Sequence, residues 1–234
     1  METLRSKLEA FHPNSEKELN EAFLNLAESF LYGGYISVTY NNKERYQIYL
    51  RTVEFYCHSE KENAPEYLKD PIVYHRNGRY VSVKNEQEKE SKEREVPYFP
   101  LMAFHAHASG YDITFENSSL KLRSSALIRA YEVYDVERKK FLTYNTKDKK
   151  FVACQMGEKR VSSQSTYLYY FLNGFVGESV KWEDDIWKAQ DCKISTSQRK
   201  NVFKYKGETK TDSKDMREWS FTRQEEISEA DTKQ

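Results

Sequence analysis

The sequence predicts one mixed α+β domain, a central antiparallel β-sheet with flanking helices. Three observations carry this. An amphipathic helix with a capping signal runs straight into two alternating segments joined by an Asn-Asn turn. Short strand-like segments recur as far as Thr222. No repeat or low-complexity linker divides the 234 residues. The chain is 38 % apolar, with 18 Tyr and 13 Phe, which is enough to build a real core. The domain is expected to span 1–234, with its core over about 15–223.

Ser15 opens the helix, with Glu18 three positions on as a capping box. Leu19, Phe23, Leu26, Ala27 and Phe30 form its apolar stripe, and Gly33-Gly34 stops it. Tyr35–Thr39 reads as a strand, Asn41-Asn42-Lys43 as a turn and Tyr46–Tyr56 as a second, antiparallel strand. Residues 57–80, with two prolines and Asn77-Gly78, read as irregular. Lys84–Glu95 is almost wholly charged or amide and reads as a surface loop, a lid or a protein-partner site. Phe99–Phe104 and Tyr111–Phe115 read as strands flanking His105–Gly110. Ser125–Val133 is another strand, followed by a hairpin through Asn145–Asp148. The aromatic run Thr166–Phe175 fits strand or helix, because its period does not decide. Trp182–Trp187 reads as a short helix, Asn201–Tyr205 and Glu218–Thr222 as late strands, and 225–234 as a flexible tail.

Lys+Arg and Asp+Glu are each 37, so the formal net charge is zero. Duplex affinity depends on neutralised phosphates, so neutrality argues against tight non-specific duplex binding unless basic residues cluster on one face. Lys139, Lys140, Lys147, Lys149 and Lys150 are such a cluster; they read as a solvated hairpin, or as a DNA contact if they flank the pocket described below. No apolar run is long enough to span a bilayer and Met1–His12 lacks a signal's apolar core, so a cytoplasmic, monomeric protein without membrane contact is expected. Cys57, Cys154 and Cys192 are odd in number and widely spaced, and read as reduced structural thiols.

The chemistry centres on Arg51-Thr52-Val53-Glu54-Phe55-Tyr56. Glu54 and Tyr56 share a strand face. A carboxylate between Val53 and Phe55 is either paired with an arginine, Arg129 or Arg51, or poised as a proton acceptor for water. Arg129 lies in Ala126–Val133, where alternation puts Leu127, Arg129 and Tyr131 on one face and Ile128, Ala130 and Glu132 on the other. A guanidinium there seeks an anion, the Glu54 carboxylate or a phosphate. His75 and Arg76 sit in an irregular segment and fit phosphate or ligand orientation. His105 and His107 would share a face, and with Asp112 or Glu116 they would make a weak metal set, or simply hydrogen bond near the glycine turn.

Read in order, these pieces resemble the alkyladenine (3-methyladenine) DNA glycosylase family. Leu26-Ala27-Glu28-Ser29-Phe30-Leu31-Tyr32-Gly33 is similar to the phrase ending that family's opening helix, and Arg51–Tyr56 stands at its catalytic strand. His75-Arg76-Asn77 resembles its loop histidine element, and Leu127-Ile128-Arg129-Ala130-Tyr131-Glu132-Val133 its Leu-Ile-Arg-Ala strand. Ile194–Arg199 and Arg217-Glu218-Trp219-Ser220-Phe221 resemble its last two phrases. The resemblance spans about 19–222 and implies a curved sheet, no metal and no cofactor, and a DNA or nucleotide substrate. It assigns Glu54 to water activation, and Tyr56 and Tyr111 to stacking on an extruded base. Arg129, His75 and Arg76 would hold phosphate or orient Glu54, with His107, Asp112 and Glu116 lining the pocket. Where the family has a wedging Tyr and a pocket Asn, this chain has Ser109 and Glu116, and Ser162–Ser165 replace a Gly-Pro-Gly-like phrase. The expected reaction is hydrolysis of the N-glycosidic bond of a damaged or modified purine. The alternatives are an enzyme on free nucleotides, nucleosides or single strands, and a non-catalytic nucleic-acid or protein-binding module on the same fold.

Overall fold

The computed structural model describes residues 2–70, 72–73, 75–77, 96–107, 110–163, 165–173, 179–185, 193–199, 202–205, 208–211 and 217–224. The charged segment 84–95 and the tail 225–234 lie outside the described residues. A mixed α+β architecture is present, a curved antiparallel sheet with flanking helices. Helix α1 (Leu4–Glu9) leads into α2 (Glu16–Tyr32), followed by β1 (Gly34–Tyr40) and β2 (Lys43–Ser59). After a 3-10 turn at Glu66–Leu68 come β3 (Ala103–His107), β4 (Gly110–Thr114), β5 (Leu122–Asp135), β6 (Lys140–Asn145) and β7 (Lys150–Ala153). Helix α3 (Ser165–Asn173), β8 (Ser179–Asp184), β9 (Ile194–Ser197), β10 (Val202–Tyr205), β11 (Glu208–Thr211) and β12 (Ser220–Arg223) complete the order.

Helix α2 starts as its sequence requires. The Ser15 side chain accepts from the Glu18 N–H at 3.1 Å, while the Glu18 carboxylate reaches Asn14 N at 2.8 Å, one residue before the usual reciprocal partner. Its stripe is buried throughout, and Phe23 stacks on Phe55 of β2 at 4.7 Å. Helix α3 settles the aromatic run as helical, with Leu168 and Leu172, four apart, in the core.

The sheet follows the path β3-β4-β5-β2-β1-β8, with β12 and β9 added beside β2, and β6 and β7 beside β5. Strand β2 is 17 residues long, and so takes β1 along its first part and β12 along its second. Two expectations are corrected. Trp182–Asp184, expected to open a short helix running to Trp187, belong to a strand: β8 closes the open edge of β1, and Trp182 packs on Phe30 at 5.6 Å, while 186–187 lie outside the described residues. Pairing begins at Ala103 instead of Phe99, because the chain before it turns through Met102 with φ of 58°. Among the described residues no helix is long and apolar enough to cross a membrane.

Candidate active site

The candidate site is made by two bulges. Opposite residues on β2 and β5 run Ile48↔Val133, Leu50↔Tyr131, then Thr52↔Ala130, Val53↔Ile128 and Glu54↔Leu127. Arg51 and Arg129 are therefore the extra residues, one on each strand. Each bulge shifts which residues face the core: Ile48 and Leu50 before it, Val53, Phe55 and Cys57 after it. On β5 the same shift puts Ile128, Tyr131 and Val133 together in the core. This corrects the simple alternation, which grouped Tyr131 with Arg129. The side chains of Glu54, Tyr56, Leu127 and Arg129 are left on the sheet's other face.

Glu54 is 1 % exposed. Its Oε2 accepts from Arg129 Nε at 2.6 Å and from the Tyr56 hydroxyl at 3.0 Å. Arg129 Nη2 also reaches the Tyr56 oxygen at 3.5 Å, closing a three-residue cluster. Burial, the largest single influence, would lower the Arg129 pKa, but the Glu54 charge together with Tyr56 and the hydrogen bonds to both outweighs it, and the net shift is upward. The Tyr56 hydroxyl is pushed far up, first by burial and then by the Glu54 and Asp112 charges, so it remains a donor. The arginine partner of Glu54 is thus Arg129; Arg51 turns outward to the Gln224 carbonyl at 2.7 Å.

One transverse row of the sheet carries the polar groups. His105, Asp112, Leu127, Glu54, Ser220 and Ser197 are successive cross-strand neighbours on β3, β4, β5, β2, β12 and β9. Buried Asp112 thereby comes to the Glu54 side. Tyr111, next to it, faces the core, opposite Ile128 and near Tyr169 at 6.5 Å, and does not join Glu54. His107 pairs with Gly110 through its backbone; its side chain and residue Ser109 lie outside the described residues.

Behind Tyr56 is a second buried pair that the sequence reading missed. Arg199 Nη1 and Nη2 bond the two Asp70 carboxylate oxygens at 2.7 and 3.3 Å, with both side chains 0 % exposed. The Arg199 guanidinium lies 4.6 Å over the Tyr56 ring and 4.9 Å over that of Trp219. Arg199 Nη1 also bonds the Phe55 carbonyl, and Asp70 accepts from the N–H groups of Cys57 and Ile72. Ile72, Val73 and Leu127 pack around Tyr56. The ring of Tyr56 is thus occupied by protein, and what Tyr56 offers Glu54 is its hydroxyl. No local pattern marks Asp70; only its place before Pro71, at the end of an irregular segment, sets it apart.

His75 and Glu116 belong to a network beside this row, the His75 ring lying 6.4 Å from that of His105. They pair with each other, and Glu116 Oε2 accepts from Arg123 Nη1 at 3.0 Å and Phe99 N at 2.7 Å. Arg123, fully buried, also bonds Glu60 at 3.0 Å and the carbonyls of Pro97 and Val96, under the Tyr98 ring at 3.6 Å. Glu60 holds Asn77, whose Oδ1 accepts from Val96 N. The network therefore ties residues 75–77 to 96–99. Arg76 is half-buried, and its charge acts on His58. Arg123 was detectable in principle as the lone charge in Leu122–Ile128.

Among the described residues, no group of three or more His, Cys, Asp or Glu is placed to hold a metal ion. No family model matches the chain, and neither the curated proteins nor the solved structures contain a match to it.

Proposed function

We propose that this protein is a hydrolase of the alkyladenine DNA glycosylase type, cleaving the N-glycosidic bond of a damaged or modified purine with water activated by Glu54. The observation that carries the reading is convergence. Four phrases of the resemblance, far apart in sequence, supply Glu54, Arg129, Arg199 and Trp219 to one connected cluster. Exposure adds support. The Arg129 side chain is 25 % exposed and links the buried Glu54 carboxylate to the surface, as Arg160 does for Glu132.

In this reading Glu54 accepts a proton from water as the water oxygen bonds to C1′ of the sugar. The C1′–N bond breaks and its electron pair leaves with the base, so a cationic alkylated base departs neutral. The carboxylate also stabilises positive charge developing on the sugar. Arg129 and Tyr56 fix one carboxylate oxygen so that the group does not rotate away, and Asp112 adds negative charge on the same side. Asp70 and Arg199 are positioning residues that act through Tyr56.

Zero net charge, and Ser109 where a wedging aromatic would stand, favour single strands or free nucleosides over duplex as the preferred form of substrate. The test is release of free base, matched by abasic sites, from single- and double-stranded oligonucleotides carrying hypoxanthine or 3-methyladenine, beside the corresponding nucleosides. Release from any of these supports the reading and identifies the form. No release from all of them would leave Glu54–Arg129 as a structural ion pair.

A further inference from the structure

A cleft of about 300 Å³ opens on the core side of the sheet, opposite the face that carries Glu54. It lies between α3 and the strands β2, β5, β6 and β7, where Tyr46 and Phe151 pack on the main core. Its walls are a continuous run of rings. Tyr46 meets Phe171 at 5.0 Å, Phe171 meets Phe151 at 4.9 Å, and Phe151 meets Tyr144 at 5.2 Å. Tyr144 in turn stacks on Tyr167 at 3.7 Å. Tyr170 stands at the edge and is 64 % exposed, one of the few large apolar side chains left in solvent among the described residues.

The rim is basic. Lys149 and Lys150 line the cleft, and Lys139, Lys140 and Lys147 belong to the same pair of turns. All five are exposed, and none makes an ion pair with another described residue. The one acidic residue in the lining, Asp135, is 1 % exposed and its charge is met by Arg45 at 3.3 Å and Arg138 at 3.7 Å. Between residues 136 and 160 the chain has eight Lys or Arg against three Asp or Glu, although its net charge is zero. The charge is thus concentrated beside the rings.

We propose that this cleft binds a single-stranded nucleic acid, stacking a base against Tyr170 and its neighbouring rings while Lys149 and Lys150 neutralise the flanking phosphates. An aromatic face next to uncommitted cations is the chemistry that recognises a nucleoside phosphate. The face of a ring can stack on an unstacked base but not on one held inside a duplex. An acidic peptide would use the lysines and leave the rings idle. The volume is at the small end of ligand sites, which span about 300–1,000 Å³, and so fits a single base with its sugar and phosphate. This inference is independent of the reading of Glu54, which lies on the other face.

The test is fluorescence anisotropy of a labelled oligothymidylate and oligoadenylate with the intact protein, Tyr170→Ala and the double variant K149Q/K150Q, over a salt series. All three substituted residues are exposed, so the fold is retained. A stacked base predicts that Tyr170→Ala weakens binding about tenfold. Loss of two phosphate contacts predicts that the double variant reduces the slope of log affinity against log salt by about 1.4. Competition by thymidine monophosphate at equal concentration would assign the site to free nucleotides, and competition only by the strand would assign it to single strands; both retain the stacked nucleoside phosphate. No binding by the intact protein, equal binding by Tyr170→Ala, or equal competition by polyglutamate would overturn the proposal.

Discussion

Arg51 and Arg129 are the extra residues of two bulges on adjacent strands, and they turn opposite ways: Arg51 to a surface carbonyl at 2.7 Å, Arg129 onto the buried Glu54 carboxylate at 2.6 Å. This divergence gives Glu54 one guanidinium instead of two. It also makes the two arginines unequal in any mutational test.

Removing Arg129 leaves a carboxylate buried without its main partner. Arg129→Met is expected to lower stability by about 3 kcal/mol, near the low end for breaking a buried pair because Arg129 is partly exposed. Arg51→Met should cost about 0.5 kcal/mol or less. Glu54→Gln keeps a hydrogen-bond acceptor for Arg129 and should cost less than Arg129→Met. Urea unfolding of the three variants, compared by midpoint at constant slope, checks the order.

The Asp70–Arg199 pair is fully buried and two-pronged. Arg199→Met should destabilise by about 3–5 kcal/mol. Lysine should not rescue it, because a single ammonium cannot replace two parallel bonds to Asp70 and a flat cation between Tyr56 and Trp219. A D70N/R199M double variant that recovers part of the loss would show that the unpaired charge, rather than lost packing, dominates.

The acid limb of stability has an identifiable contributor. Burial first, and the nearby Arg76 charge second, lower the pKa of His58 below its ordinary 6.5. The unfolded chain therefore binds the His58 proton more readily than the native one. The His58 contribution to stability is intact above about pH 6.5 and is lost as pH falls from there towards the lower folded pKa. In His58→Gln the thermal midpoint should fall less steeply between pH 6.5 and 5 than in the intact protein. Identical slopes would exclude this contribution.

Thiol chemistry gives an independent check on packing. Burial pushes the Cys57 thiol up to about 12, and its sulfur accepts from Ser124. Cys154 is only half-buried, its thiol held by the Gln155 and Glu158 carbonyls. In native protein at pH 8, iodoacetamide should modify Cys154 well before Cys57, as read by peptide mass spectrometry. Unfolding in urea should abolish the difference.

Much of the fold was legible because local signals agree with the tertiary result. Ser15, the Phe23 stripe and Gly33 bound α2, and Asn41 and Asn42, both with positive φ, turn β1 into β2. The aromatic run resolved as helix only because Leu168 and Leu172 find a core to enter. Trp182 misled: an open strand edge recruited its segment, and no sequence window contains that edge. The Glu54–Arg129 contact was one of two pairings the sequence left open, Arg129 or Arg51, and the bulges decide it for Arg129. The face assigned to Tyr131 was wrong because alternation cannot foresee a bulge. His75 and Glu116 were grouped with Glu54 by the order of the resemblance; they pair with each other and with Arg123, an unremarked neighbour, and the His75 ring lies 6.4 Å from that of His105.

The most direct test of the central claim is single-turnover base release by the intact protein and by Glu54→Gln, on single- and double-stranded oligonucleotides carrying hypoxanthine or 3-methyladenine. The account predicts free base and abasic sites from the intact protein and at least about a hundredfold slower release from the folded Glu54→Gln variant, the scale expected for loss of a general base. Equal release by both proteins would contradict the role of Glu54, and release by neither would contradict the glycosylase reading.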